Sequence, residues 1–320
     1  MRNEDEEHLI PKFRMVILGI GGVGGYIGGK LAASYSHSPA MDIIFVTRKE
    51  DVDVIRSKGL HLTTPQREET VRPSLVTSDP GDIGSVDLLI CCVKSYDLEQ
   101  SLESFRDCLA DDTIVLPLLN GVDICKRVMD MHLRAEVWEG CMYTVTRKKS
   151  PGVIQVSGKT SRIIFGCEGG SRKRLAQVKG IFSTAGLNSE ISDNIKREMW
   201  EKFFLISPLA TLTSFLDLPF GSILRNENHM MMLSTLQSEV KQVAAARGIP
   251  ISGDAAAKTL DYLRTIPPEA TSSMHDDIRN RKRTEIDSLT NYVIRCGKEL
   301  NVPTPLYQEM ARALSEKNVQ

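Results

Sequence analysis

An α/β class, with a doubly wound parallel sheet followed by an all-helical C-terminal domain, is what this sequence predicts, and three observations predict it. Val16-Ile17-Leu18-Gly19-Ile20-Gly21-Gly22-Val23-Gly24 sets a G-x-G-x-x-G motif directly after an apolar run and at the start of a helical pattern. Apolar β-rich runs then alternate with amphipathic stretches to about residue 187, the order that builds a parallel sheet covered by helices on both faces. From about residue 193 the apolar spacing becomes helical and stays so, which adds a second region with a core of its own.

The individual elements follow from the same patterns. Strands are expected at 14–18, 43–47, 75–77, 87–93 and 113–118, with helices starting near Val23, Glu50, Asp97 and Val122. Shorter β signals at 141–146, 153–156 and 162–166, with Pro151-Gly152 as a turn, predict an antiparallel extension. Beyond it, Asp193 is expected to cap a helix running through Trp200 and Lys202, and Pro208 to kink or interrupt that helix. Further helices are expected at 224–247, closed by Gly248, and at 255–264, 276–300 and 306–316. No internal repeat or low-complexity segment is present.

Composition excludes several classes of function. At 320 residues the chain is long enough for two domains, each with its own core. A net charge of -1 leaves no electrostatic footprint for nucleic acid or an anionic membrane. Arg172-Lys173-Arg174 and Arg281-Lys282-Arg283 lie in helical patterns and read as solvated faces. Residues 1–11 are polar and acidic, without the basic and apolar regions of a signal peptide, so a cytoplasmic location is expected. The most apolar stretch, 203–220, is broken by Ser207, Pro208, Thr211, Thr213, Ser214 and Asp217 and reads as a buried helix rather than a membrane span. Seven scattered cysteines suit a reducing compartment, and neither they nor the six histidines show metal-ligand spacing, so no metal is expected.

The glycine motif carries the first functional inference. Gly19 permits the tight turn out of the strand, Gly21 lets backbone approach a pyrophosphate, and Gly24 lets the helix pack closely on the sheet. With Gly22 and Val23 opening the helix, free N–H groups face the phosphates, so a dinucleotide is expected here. The second strand ends Phe45-Val46-Thr47-Arg48-Lys49. An acidic residue at that point would favour NAD(H); Arg48 instead offers a planar fork to a 2′-phosphate, and Lys49 adds positive potential, so NADP(H) is the expected cofactor. The chain accordingly divides into a polar tail at 1–12, an NADP-binding Rossmann-like domain at 13–192 and an all-helical domain at 193–320.

Five segments in order, Gly19-Ile20-Gly21-Gly22-Val23-Gly24, Cys92-Val93-Lys94-Ser95-Tyr96, Leu119-Asn120-Gly121-Val122, Trp200-Glu201-Lys202, and Ser272-Ser273-Met274 leading to Arg283-Thr284-Glu285-Ile286-Asp287, resemble ketopantoate reductase (2-dehydropantoate 2-reductase). The matches span nearly the whole chain, and the S-S-M followed by T-E-I-D is the most specific. The resemblance implies an NADPH-dependent reduction of a 2-keto acid in the route to pantothenate and coenzyme A, at a site between a Rossmann domain and a helical domain. It implies that Lys202 is the general acid, Glu285 a carboxylate that orients the substrate, and Ser273 a substrate-binding serine. Lys94 and Asn120, just beyond the ends of expected strands, match residues that face the nicotinamide and the substrate. Apart from the resemblance, Lys202 beside Trp200, Phe203 and Phe204 reads as a snorkelling surface lysine, and Glu285 as an exposed helical residue paired with Arg281. Desolvation among those aromatic rings would equally make the ammonium a readier proton donor.

The sequence departs from the family at four positions. Ile206, Ala210, Phe220 and Ala270 stand where the family carries asparagines on the substrate side. Losing four amides should weaken recognition of a hydroxylated keto acid. Three readings therefore stand: reduction of ketopantoate; the same hydride transfer on a more apolar keto substrate; and a non-catalytic NADP(H)-binding redox sensor, against which Lys202 and Glu285 speak. The expected partner is a small 2-keto acid, with no nucleic acid or membrane, and a homodimer is left open.

Overall fold

A computed structural model describes residues 12–157 and 161–318, so the N-terminal tail read from the sequence lies almost wholly outside the described residues. The strands are β1 (Phe13–Leu18), β2 (Met41–Val46), β3 (Leu60–Thr63), β4 (Glu68–Val71), β5 (Leu75–Thr77), β6 (Leu88–Cys91), β7 (Ile114–Pro117), β8 (Glu136–Val137), β9 (Glu139–Tyr143), β10 (Thr146–Ser150), β11 (Val153–Val156), β12 (Arg162–Gly166) and β13 (Ser189–Ile191). The helices are α1 (Gly22–Tyr35), α2 (Lys49–Lys58), α3 (Leu98–Glu103), α4 (Ile124–Asp130), α5 (Arg172–Thr184), α6 (Ile195–Leu216), α7 (Phe220–Leu224), α8 (Glu227–Ala246), α9 (Ala255–Arg264), α10 (Ser273–Arg279), α11 (Tyr292–Leu300) and α12 (Pro305–Asn318). They fall into two compact units. One holds the described residues up to Val93 with Asp97–Leu118 and Val128–Ile191; the other holds Lys94–Tyr96, Leu119–Arg127 and the residues from Ser192 on.

The first unit is built on a parallel six-stranded sheet of order β5-β2-β1-β6-β7-β8. Strands buried on both faces need continuous apolar runs. β6 and β7, Leu88–Cys91 and Ile114–Pro117, are buried at every residue. The order reverses on either side of β1, which places a switch point at the carboxyl ends of β1 and β6, where ligands bind in open α/β sheets. The β-rich extension differs from the antiparallel one expected. β9 and β12 pair antiparallel, but β12 also pairs with β13 in parallel, and the β10–β11 hairpin joins β3 in parallel. The β3–β4 hairpin escaped the sequence reading because it is short and one strand, Glu68–Val71, is mostly polar. Trp138, fully buried, stacks on Phe165 at 5.8 Å and closes the core at this end.

The second unit wraps helices around α6. Asn194, not Asp193, caps it, its Oδ1 accepting from the Arg197 N–H at 3.2 Å. Pro208 does not interrupt the helix, although its missing N–H and ring clash cost about 3 kcal/mol in a helix interior. Burial outweighs that cost: Phe203, Phe204, Leu205, Leu209 and Leu212 are all buried, and each contributes roughly 1.5–3 kcal/mol. Hydroxyls tie α6 to its neighbours, with Ser207 Oγ donating to the Leu289 carbonyl at 2.7 Å and lying 2.6 Å from the Tyr307 hydroxyl. The single helix expected at 276–300 is divided. Arg281 takes a left-handed φ of 52°, and the amides of Arg281 and Lys282 close on the carbonyls of Ile278 and Asp277, a helix-ending turn. Helix resumes as a π-turn at Asp287–Asn291 before α11. The helix expected at 224–247 is α8, which starts three residues later behind its N-cap Asn226; the short α7 precedes it. No helix among the described residues is long and apolar enough to cross a membrane.

Candidate functional site

The glycine loop lies in the first unit. Gly19 has φ 95°, and a Cβ there would sit 2.9 Å from the backbone of Cys92 and Val93, so only glycine fits the turn. Gly24 is equally constrained, since its Cβ would meet the Gly19 carbonyl oxygen at 2.0 Å. Gly21 differs from both: a Cβ would find nothing within 4 Å, so the backbone borders open space. Gly21 is the N-cap of α1, where no side chain caps the helix and no acid occupies the first turn. The N–H groups that Gly22 and Val23 contribute to that turn thus meet neither a capping side chain nor a first-turn acid, and the residues present fit a dinucleotide pyrophosphate.

Arg48 is the residue before α2, three-quarters exposed at 76%, with its Nη2 3.9 Å from Asp97 Oδ2. That separation is a loose surface ion pair of small energetic worth, so the guanidinium can turn to a ligand at little cost. Asp51, a buried acid three residues further on, is engaged elsewhere. Its Oδ2 lies 2.5 Å from Lys148 Nζ and 3.2 Å from the Thr47 hydroxyl, and its Oδ1 accepts from the Gly152 N–H.

The second unit gathers Lys94, Asn120, Lys202, Ser273 and Glu285. Lys94 Nζ lies 2.8 Å from Asp277 Oδ2 and 3.3 Å from Glu285 Oε2. Glu285 is only 4% exposed, and its other oxygen accepts from the Ser95 N–H at 3.2 Å. Burial alone would lower the Lys94 pKa, but the carboxylates of Glu285 and Asp277 outweigh it and hold the ammonium charged well above the usual lysine range. Glu285 is not the helical partner of Arg281, because residues 281–285 are not helical; the turn after α10 frees it to reach Lys94. Arg283 lies over the Tyr96 ring at 4.3 Å, and Arg127 Nη2 donates to the Ser95 carbonyl at 2.6 Å, so the Lys94–Tyr96 segment is held from three directions.

Lys202, 8% exposed, is not a snorkelling surface residue. Its Nζ donates to Asn120 Oδ1 at 3.0 Å. Asn120 stands just before Gly121, whose φ of 117° turns the chain out of the loop that follows β7. Ser273 is exposed at the first position of α10, behind the N-cap Ser272. Of the four positions without amides, Ala210 and Phe220 are buried, whereas Ile206 and Ala270 are partly exposed. The sequence reading missed Asp277 and Ser95. Asp277 follows Ser273 by four residues on a helix, a same-face spacing that was available as a signal but has no specificity alone.

Among the described residues no group of three or more His, Cys, Asp or Glu is placed to hold a metal. The cysteines are free thiols, and burial pushes Cys91 up to about 12 and Cys167 up to about 11, so neither forms a ready nucleophile at neutral pH.

Two family models match, "Ketopantoate reductase PanE/ApbA" over residues 15–170 and its C-terminal counterpart over residues 194–318. The chain is 28% identical to a 2-dehydropantoate 2-reductase of Pyrococcus horikoshii, over 92% of this chain and 93% of that protein. It superposes on the crystal structure of a 2-dehydropantoate 2-reductase from Porphyromonas gingivalis with a TM-score of 0.81 and 30% identity, covering 95% of this chain and 99% of the other. A PanE/ApbA family ketopantoate reductase from Ralstonia eutropha gives a TM-score of 0.87 at 28% identity, covering 96% and 99%.

Proposed function

The chain belongs to the ketopantoate reductase family, NADP-dependent oxidoreductases acting on CH–OH groups, and on that premise we propose that it uses NADPH to reduce a 2-keto acid to the 2-hydroxy acid, with 2-dehydropantoate as the substrate and pantoate as the product. The observation that carries this reading is the buried Lys202 ammonium held on the Asn120 amide oxygen. A buried, hydrogen-bonded cation has a defined direction, which is what a proton donor requires.

Each residue then has a role. The nicotinamide, when bound, supplies the hydride. Lys202 gives a proton to the carbonyl oxygen as negative charge develops there, and Asn120 aims the Lys202 amine throughout. Lys94 holds Glu285 in place, so that its carboxyl group orients the substrate, and Ser273 donates a hydrogen bond to the substrate. Asn120 and Lys94 also border the nicotinamide. Gly19, Gly21, Gly22, Val23 and Gly24 cradle the pyrophosphate, and Arg48 binds the 2′-phosphate that distinguishes NADP(H) from NAD(H). In this reading residues 13–192 form the cofactor domain and 193–320 the substrate domain.

A second reading keeps the chemistry and changes the substrate. Ile206 and Ala270, partly exposed, offer no amide to a substrate hydroxyl, which favours a more apolar 2-keto acid. Loss of NADPH absorbance against a panel of 2-keto acids that includes 2-dehydropantoate tests both readings. Turnover of 2-dehydropantoate above the rest supports the first, preference for apolar analogues the second, and no turnover of any member overturns both.

A further inference from the structure

His275 has no place in the chemistry above, yet it is among the most constrained side chains of the second unit. It is 1% exposed. Its Nε2 lies 2.6 Å from Asp217 Oδ1 and its Nδ1 lies 2.6 Å from the Thr271 hydroxyl. A carboxylate only accepts, so Nε2 carries the hydrogen that Asp217 receives; in the neutral ring Nδ1 then accepts from Thr271. The backbone N–H of His275 donates to Ser272 Oγ at 3.1 Å. Ser272 Oγ is 2.7 Å from Thr213 Oγ1, whose own hydrogen goes to the Leu209 carbonyl at 2.7 Å.

This chain of hydrogen bonds joins two elements that both carry candidate site residues. Asp217 is the left-handed C-cap of α6, with φ 55°, an uncommon conformation for a residue other than glycine. Lys202, Ile206, Ala210, Thr213 and Asp217 fall on one face of the chain leaving that helix, given 3.6 residues per turn. At the other end, α10 presents Ser273 and Asp277 on a shared face, four residues apart. His275 lies two residues from each, about 200° around the helix, on the opposite face. An anchor on the back of a seven-residue helix fixes the rotation of its front.

We propose that His275 is a positioning residue for substrate binding: by pinning α10 to Asp217 and Thr271, it sets the angle at which Ser273 meets the substrate and Asp277 meets Lys94. The role rests on the reading of the chain as a 2-keto acid reductase with Ser273 on the substrate. Misplacement of a contacting group by about 1 Å can cost as much as 10²-fold, and a rotation of α10 by a fraction of a turn would move Ser273 that far.

The test is steady-state kinetics on the purified full chain with NADPH and two probes, 2-dehydropantoate and trimethylpyruvate, for the parent, His275→Leu, His275→Gln, Asp217→Asn and Thr271→Val. In His275→Leu the KM for the better probe should rise about 10-fold or more, kcat should change far less, and the NADPH Kd should stay at the parent value. His275→Gln, whose amide N–H can still reach Asp217, should recover much of that KM, a rescue that general loosening of the fold would not produce. If His275→Leu does not fold, Asp217→Asn and Thr271→Val, each removing part of the hold, should show smaller KM increases in the same direction. An unchanged KM in folded variants overturns the role of His275 alone. A proportional loss of kcat, keto acid binding and NADPH binding also overturns it, by showing a purely structural residue. A parent that reduces neither probe nor any other 2-keto acid overturns the reductase reading and this role together.

Discussion

Lys202 and Asn120, 82 residues apart in the sequence, meet at 3.0 Å, so the second turn of α6 and the loop after β7 hold one proton donor between them. A hydrogen bond to the amide oxygen gives the Lys202 amine a defined direction, which is what a positioned proton donor requires.

Replacing Lys202 should therefore remove chemistry more than binding. Lys202→Ala is expected to lower kcat/KM on the working 2-keto acid by about 10²–10⁴, the usual worth of a positioned acid, with the NADPH Kd little changed. The limb of the pH–rate profile that reports the essential acid should disappear with it. Activity retained within a few-fold of the parent would return Lys202 to a structural role and require another donor.

Cofactor choice should respond to Arg48. Because the guanidinium is three-quarters exposed and only loosely paired with Asp97, Arg48→Glu should leave the fold intact, weaken NADPH by roughly 1.5–3 kcal/mol, and barely alter NADH. Titration of both cofactors by fluorescence measures the difference, and equal affinities in the parent would refute the NADP(H) assignment. The glycines separate in the same assay. Gly21→Val, facing open space, should fold and lose both cofactors, whereas Gly24→Ala, which drives a Cβ to 2.0 Å from the Gly19 carbonyl, should first lose thermal stability.

Much of the fold was legible because its signals are local. The glycine motif, the run at 88–91 and the continuous spacing of α6 each report their structure within one window of sequence. The pairings in the second unit were not legible in that way. Lys94 and Asp277 are separated by 183 residues and Lys94 and Glu285 by 191, and nothing in the period of either segment encodes the meeting. The break between α10 and α11 was hidden for another reason: no glycine or proline marks it, and the left-handed turn at Arg281 is set by carbonyl closure. Pro208 misled in the opposite sense, since a local helix breaker was overruled by the burial of its neighbours.

The Lys94 cluster yields a pH prediction. Its folded pKa is raised above the unfolded value, net of burial, by Glu285 and Asp277. A raised lysine stabilises the fold fully below its unfolded pKa and loses that contribution only as pH climbs through the higher folded value. Lys94→Met should accordingly lower stability by roughly 1–3 kcal/mol at neutral pH, by stranding the buried Glu285 carboxylate, with a deficit that stays constant from pH 7 to about 10 and narrows only in stronger alkali. Urea midpoints of parent and variant across that range measure it. A deficit that vanishes near neutrality would mean that Lys94 is not charged in the folded protein.

The substrate pocket can be probed where it is open. Ile206 and Ala270 are partly exposed, while Ala210 and Phe220 are packed, so the four missing amides are not equivalent. If Ile206 borders the substrate, added methylenes on a 2-keto acid should gain up to about 0.8 kcal/mol each in kcat/KM. On the second, apolar-substrate reading an unpaired hydroxyl should lose on the order of 1–3 kcal/mol, making 2-dehydropantoate a poorer substrate than trimethylpyruvate, its analogue with methyl in place of hydroxymethyl. Ile206→Asn should then narrow or reverse that preference by offering the hydroxyl a partner. Ala210→Asn is the contrasting control, because forcing a larger polar side chain into a packed site should cost about 1–3 kcal/mol of stability before it can help binding. Selective turnover of 2-dehydropantoate by the parent would instead show that hydroxyls such as those of Thr271, Ser272 and Ser273 serve where the amides are absent. An unaltered preference in a folded, NADPH-binding Ile206→Asn variant would remove that residue from the pocket.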